Sequence, residues 1–145
     1  MAITSTLCTS FKQELLQGFH NFNKASSPDT FKLALYASTA SLDASTTAFT
    51  TSGEVTGTNY TSGGATLTLK TGTPTTDGTT AVVDFDPLTF SNVTLTAAGA
   101  LIYNSTDSNK AVCVISFGKD VSASASNFTI TFPSTGASNS IIRLA

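Results

Sequence analysis

The chain holds a single histidine, His20. Acid-base and nucleophilic catalysis both need a titratable side chain within hydrogen-bond reach of the reacting group. His20 falls on a stretch of helical pattern, which makes it a helix-surface or interface residue and not a base. Asp84 and Asp86 are two apart on an expected strand, so both carboxylates leave the same face around Phe85. A calcium ion there would want about six to eight oxygens from a tight loop, but Pro87-Leu88 follows, and a solvated strand end is expected instead. Cys8 and Cys113 with one histidine cannot complete a four-ligand zinc site, and in a reducing cytosol both are expected to stay thiols. Gly53, Gly57, Gly63 and Gly64 lack the Lys-Ser/Thr pair and the strand-to-helix switch of a phosphate-cradling loop, so they read as turn residues with positive φ. The expectation is a protein without catalytic residues, metal ligands or cofactor, hence not an enzyme.

Charge narrows the partners. Only 11% of residues are charged and the formal net charge is -2, far below the usual charged share of about 25%. That balance gives no footprint for gripping phosphates, so no nucleic acid is expected as a partner. A neutral surface rich in Ser, Thr, Ala and Gly suits copies covered by neighbours in an assembly. The start, Met1-Ala2-Ile3-Thr4, has no charged leader before a long apolar stretch, and nowhere do 18 apolar residues run together. Neither export nor membrane insertion is expected, and synthesis in a reducing cytosol fits. Four Asn-X-Thr triplets, at Asn59, Asn92, Asn104 and Asn127, then have no glycosylation machinery to meet and reflect Thr-rich strands and turns.

The positioning elements are mostly strands. A short amphipathic helix is expected from Ser10, with a Ser10/Gln13 capping box and Phe11, Leu15, Leu16, Phe19 and Phe22 recurring every three to four residues, fading over residues 18–23. Ser26-Ser27-Pro28-Asp29 is a turn. Phe31-Lys32-Leu33-Ala34-Leu35-Tyr36 alternates as a half-buried strand. Residues 38–64, mostly Ser, Thr, Ala and Gly, are too long for a bare connection and read as an extended loop or arm, with a helical turn possible over 42–49. Residues 65–69 and 80–85 form a hairpin with a long loop, given turn chemistry by Pro74 and Asp77-Gly78. Leu88-Thr89-Phe90 and Val93-Thr94-Leu95-Thr96 are short alternating pieces. The nearly continuous apolar runs at 100–103 and 111–115, joined by a polar turn at 104–109, are expected to be central. Phe128, Ile130 and Phe132 make a one-face-buried strand, and residues 141–144 close the chain.

This pattern predicts one all-β domain over residues 1–145, an antiparallel β-sandwich with jelly-roll-like topology, one short N-terminal amphipathic helix within an arm of residues 1–24, and the 38–64 excursion. The candidate interface residues are Phe19, His20, Phe22, Phe49 and Tyr60. Phe11, Phe19 and Phe22 also fit a helix face laid on a sheet, which is the commoner fate of such a stripe.

Taken as an ordered set, Phe11-Lys12-Gln13-Glu14-Leu15-Leu16-Gln17-Gly18, Phe31 through Tyr36, Gly53-Glu54-Val55, Gly57-Thr58-Asn59-Tyr60-Thr61, Gly63-Gly64-Ala65, Val83-Asp84-Phe85, Gly99-Ala100-Leu101-Ile102-Tyr103-Asn104, Ala111 through Gly118 and Phe128 through Pro133 resemble small virion structural proteins of tailed bacteriophages. Ala98 and Phe90 depart from that pattern, which has a basic residue and an indole there. The resemblance implies a non-enzymatic virion structural protein on the outer surface of the head. Its role would be a capsid decoration or cement protein, a homotrimer over junctions of the major capsid protein. The alternative it leaves is a tail fibre or receptor-binding module.

Overall fold

The computed structural model of the chain describes residues 2–145. Strands β1 (Thr6–Leu7), β2 (Phe31–Tyr36), β3 (Ala65–Thr66), β4 (Thr75–Asp77), β5 (Thr80–Val83), β6 (Leu88–Asn104), β7 (Lys110–Ile130) and β8 (Ile142–Leu144) form two antiparallel sheets, with one helix, α1 (Thr9–Leu16), between β1 and β2. The larger sheet runs β1-β7-β6-β2-β3 and the smaller β4-β5-β8. This is the all-β sandwich with one short helix that alternation predicted.

The two longest strands lie side by side. The pieces expected at 88–90, 93–96 and 100–103 fuse into the 17-residue β6, paired along its length with the 21-residue β7. Bulges make the fusion possible: the register shifts between Phe90/Val93, Val93/Leu95 and Ala97/Gly99, and Asn92, Ala125 and Gly118 take the positive φ that such insertions need. An extra residue is thereby absorbed without ending the ladder. The polar turn after Asn104 closes with the Lys110 amide on the Asp107 carbonyl at 3.2 Å.

β2 forms where it was expected, but five of its six residues are buried, not three. Its second face is covered because residues 38–64 fold back onto the sheet. The amide of Ala37 meets Gly53, Val55 meets Leu35, Phe49 meets Asn109 and Ala111 meets Thr47, all through backbone bonds of 2.9–3.0 Å. The segment is therefore no projecting arm. Within it the helical turn expected over 42–49 is a tight turn in which the Asp43 carboxylate accepts from the Ser45 hydroxyl at 2.6 Å and from the Ser45 amide at 2.8 Å, and those bonds hold its carboxyl below the usual range. Gly64, at φ +74°, sits where any Cβ would strike the Leu33 carbonyl. Gly57 has no positive φ; it is required because a Cβ would meet the Thr94 carbonyl.

The N-terminal residues are bound as well. Met1 lies outside the described residues. The Thr4 amide donates to the Leu42 carbonyl and the Leu42 amide to the Ala2 carbonyl, each at 3.0 Å, and β1 pairs with β7 at Val114 and Cys113. The Ser10/Gln13 capping box does not form: Cys8 is the N-cap and makes no side-chain cap bond. The loop does that work, with the Thr9 amide on the Ala44 carbonyl at 2.8 Å. Ser10 instead sits inside the helix, its buried hydroxyl without a partner among the described residues. The expected long hairpin survives as a Leu69–Phe85 bridge, enclosing a second, tight hairpin of β4 and β5 across Gly78 and Thr79. One apolar cluster fills the interior, with Phe22 stacked on Phe31 at 4.3 Å and Phe31, Phe85 and Phe132 following at 6.2 and 5.7 Å. Among the described residues no helix is long and apolar enough to cross a membrane.

Candidate interaction surface

The ionisable clusters turn inward. His20 lies beyond the end of α1, with a fully buried side chain, so it is not the helix-surface residue the pattern suggested. Its Nε2 is 3.0 Å from Glu14 Oε1 and its Nδ1 is 3.1 Å from the amide nitrogen of Asn104. That amide nitrogen can only donate, so Nδ1 accepts and Nε2 carries the proton toward Glu14. Asn104 is itself saturated: its amide also donates to Asp29 Oδ2 at 2.8 Å, and its oxygen accepts from the Thr106 amide at 3.1 Å. The group ties α1, the 18–30 segment and the β6–β7 turn together, with every member engaged.

A second cluster fastens the 38–64 loop. Glu54 accepts from the Tyr60 hydroxyl at 2.9 Å, from Ser62 at 2.7 Å and from the Gly63 amide at 2.7 Å. The Tyr60 hydroxyl in turn accepts from the Leu35 amide at 2.9 Å. Burial pushes the Tyr60 and Tyr36 hydroxyls well above the usual phenol range, with the nearby Glu54 carboxylate adding to it. Asp84, expected at a solvated strand end, is fully buried; its carboxylate accepts from the Phe85 amide at 3.2 Å, with the Thr135 hydroxyl at 3.5 Å. Among the described residues no three of His, Cys, Asp and Glu come together in metal-ligating reach. Burial raises Cys8 to about 11, Glu14 and Asp43 adding to the effect, and raises Cys113 further. Both are free thiols, protonated at neutral pH and therefore weak nucleophiles.

Of the five residues singled out as interface candidates, four are spent within the chain. His20 and Phe22 are buried. Phe49 is half-buried and stacks on Tyr103 at 4.8 Å; Tyr60 packs on Phe90 at 5.6 Å. Phe19 alone faces outward, 43% exposed, with the Lys110 ammonium 5.1 Å from its ring centre. The nearby Leu16 is 91% exposed.

The larger free surface lies elsewhere. A trough of about 460 Å³ opens beside β7, lined by the apolar residues Ile115, Phe117, Val121, Phe128, Ile130, Phe132, Pro133 and Ile141 together with Thr129 and Thr131. It continues past Ile115 and Ile141 into a narrower cleft of about 280 Å³ between β1 and β8, reaching Arg143. Ile115, Phe117, Val121, Phe132 and Ile141 are half-buried there, so apolar surface stays in contact with water. The alternation of Phe128, Ile130 and Phe132 predicted their inward direction. Phe128 and Ile130 are buried, whereas Phe132 is half-buried and Pro133 exposed, a difference that no local pattern announces.

The opposite face of the same ribbon is a ladder of hydroxyls and amides. Thr89 pairs with Thr129 at 3.0 Å and Thr96 with Ser122 at 2.7 Å, while the Asn92 amide donates to the Asn127 side chain at 3.1 Å. Asn104, a fourth Asn-X-Thr position, is fully buried, and Asn59 donates to the Asn92 carbonyl at 2.8 Å. These triplets thus serve bulges and turns. Compared with known proteins, the chain matches no family model, no curated protein and no solved structure.

Proposed function

We propose that this chain is a non-enzymatic structural subunit of a tailed-phage particle. Its place would be on the outer surface of the head, where it decorates and cements the shell as a homotrimer over junctions of the major capsid protein. One observation carries the reading: the side chains that could do acid-base work are locked into holding the chain's own loops, while an apolar trough of about 460 Å³ is left open beside β7. Such a division of labour suits a protein that acts by shape and contact. Repetition by symmetry lets individually small interfaces hold through avidity. The ordered resemblance of the sequence to small tailed-phage virion proteins supports the particle as the setting.

A tail fibre or receptor-binding role has one observation in its favour, the exposed hydroxyl and amide ladder of the ribbon, which matches the hydrogen-bonding character of glycans. Cryo-electron microscopy of intact virions separates the two. Density for this chain repeated across the shell is the expected result. Density confined to the tail moves the role there, and absence from mature particles overturns both.

A further inference from the structure

We infer that the trough takes an extended segment of a partner polypeptide, added as a strand to the free edge of β7. The segment's alternate apolar side chains would turn into the trough, and a carboxylate at one end would face Arg143. This deepens the reading of the chain as an assembly subunit and rests on it for the presence of a partner.

Three observations converge. The first is the edge. β1 covers β7 only at Cys113 and Val114, and residues 117–130 make no backbone–backbone hydrogen bond outside their pairing with β6 among the described residues; only the Gly118 and Ala125 amides are taken, by the Ser116 and Thr94 hydroxyls at 3.2 and 2.9 Å. An open row of main-chain donors and acceptors is what strand addition uses. Because of the bulges at Gly118 and Ala125, the row is regular only at 121–123 and 128–130, which blunts it against unlimited stacking and leaves selection to the side chains. The second is the trough, which lies on the inner side of that same edge. A strand continuing the larger sheet past β7 would place every second side chain over Val121, Phe128, Ile130 and Ile141. The third is charge. Arg143 is the one charged side chain lining either part of the trough. Its guanidinium reaches only the Ala137 carbonyl, at 3.5 Å, and no carboxylate pairs with it among the described residues. A trough open along its length beside a backbone edge favours a polypeptide over a small amphiphile, whose chain could use the apolar walls but not the edge.

The test uses the whole chain and synthetic probes. These are capped hexapeptides alternating Val and Thr, with Asp at either end, with Lys in place of Asp, and with proline at alternate positions; decanoate serves as the small-amphiphile control. Binding is followed by amide chemical shifts in two-dimensional NMR. The expected result is that an Asp peptide shifts amides of residues 121–130 and 141–143 and binds about tenfold more tightly than its Lys counterpart, and that the proline peptide does not bind. Arg143→Glu, a change at an exposed position, should reverse the Asp/Lys preference, and Val121→Arg should abolish binding while the remaining spectrum stays folded. Overturning results are no shift with any peptide at millimolar concentration, equal binding of Asp and Lys peptides, or saturation by decanoate alone. Peptide binding by a chain missing from virions would leave this inference standing and remove only the phage assignment.

Discussion

Ala100, Leu101, Ile102, Tyr103 and Asn104 of β6 are buried without a break, as are Ala111, Val112, Cys113 and Val114 opposite them, whereas from Leu88 to Ala97 the same strand alternates between buried and exposed. One hairpin therefore obeys two rules. Near the 105–109 turn, β2 and β1 flank it and the returning 38–64 loop and the Phe11/Phe22/Phe31 rings cover its faces. Farther out it is a two-stranded ribbon touched by the 38–64 loop only on its β6 edge, where Thr58 bridges Thr94 and Asn59 meets Asn92, apolar on one side and hydroxyl-bearing on the other. Continuous apolar runs belong to strands covered on both faces and alternation to strands with one face in water, so a single strand can change its pattern where its cover ends. The trough lies on the outer part, where cover is thinnest.

Truncation is the strongest way to break this contrast. Leu101 is fully buried, and Leu101→Ala should cost about 3 kcal/mol through lost transfer energy and the cavity left behind. Val121→Ala, at a half-buried position lining the trough, should cost about 1 kcal/mol or less, since water already reaches one side. Urea denaturation measures both. Equal losses would mean that the outer ribbon is as deeply covered as the inner hairpin.

Asn104 gives the next largest effect, because it is the polar residue placed within the apolar half. Asn104→Ala leaves Asp29 and the Thr106 amide short of a partner and removes the donor to His20, at a cost of about 2 kcal/mol. The lone histidine makes the local consequence readable by nitrogen NMR. The native chain should show the neutral ring with its proton on Nε2, and that preference should weaken in the variant, where only Glu14 remains to orient the ring. A native ring protonated on Nδ1 would contradict the arrangement.

Much of the inner hairpin and little of the trough could be read from residues alone. The runs at 100–103 and 111–115 announced their position because their apolar character does not alternate, and β2 was legible from its strict alternation and its Phe and Tyr ends. The 38–64 loop was not, since its bonds reach back across the chain to Leu35, Ala2 and Asn109 through residues that are ordinary turn formers. Ser10 misled for a local reason: the helix begins one residue earlier, and backbone carbonyls of distant segments satisfy its first amides in place of a cap. Phe22 kept the helical spacing after the helix had ended at Leu16, and its inward face was the commoner fate of such a stripe; His20, read onto the same helix, was placed on its surface when the chain was already turning into the core.

Alkaline pH should loosen the inner hairpin first. Cys8, Cys113, Tyr36 and Tyr103, all raised chiefly by burial, sit in or against it. A group raised in the folded state contributes stability that is complete below its unfolded value and is lost as pH climbs toward the folded one. Stability should thus hold up to about pH 8.5, decline as thiols ionise in the unfolded chain, and decline more steeply above about pH 10 when phenols do. The slope is about 1.4 kcal/mol per pH unit for each group that stays protonated only when folded. Hydrogen exchange should show the amides of 100–104 and 111–114 losing protection as pH rises, and Cys113→Ala should flatten the decline between pH 9 and 10. A profile flat to pH 11 would place water against these side chains.

The smallest effect belongs to the hydroxyl ladder, and it sharpens the contrast from the other side. Thr96 and Ser122 are exposed and directly opposite, their oxygens 2.7 Å apart. In water such a bond is exchanged for bonds of nearly equal strength, so a double-mutant cycle with Thr96→Ala and Ser122→Ala should give a coupling of only about 0.2–0.5 kcal/mol. A coupling several times larger would mean that this face is shielded even in the isolated chain. The hydroxyl side would then be a covered surface, and the open trough would lose its standing as the place where a partner is wanted.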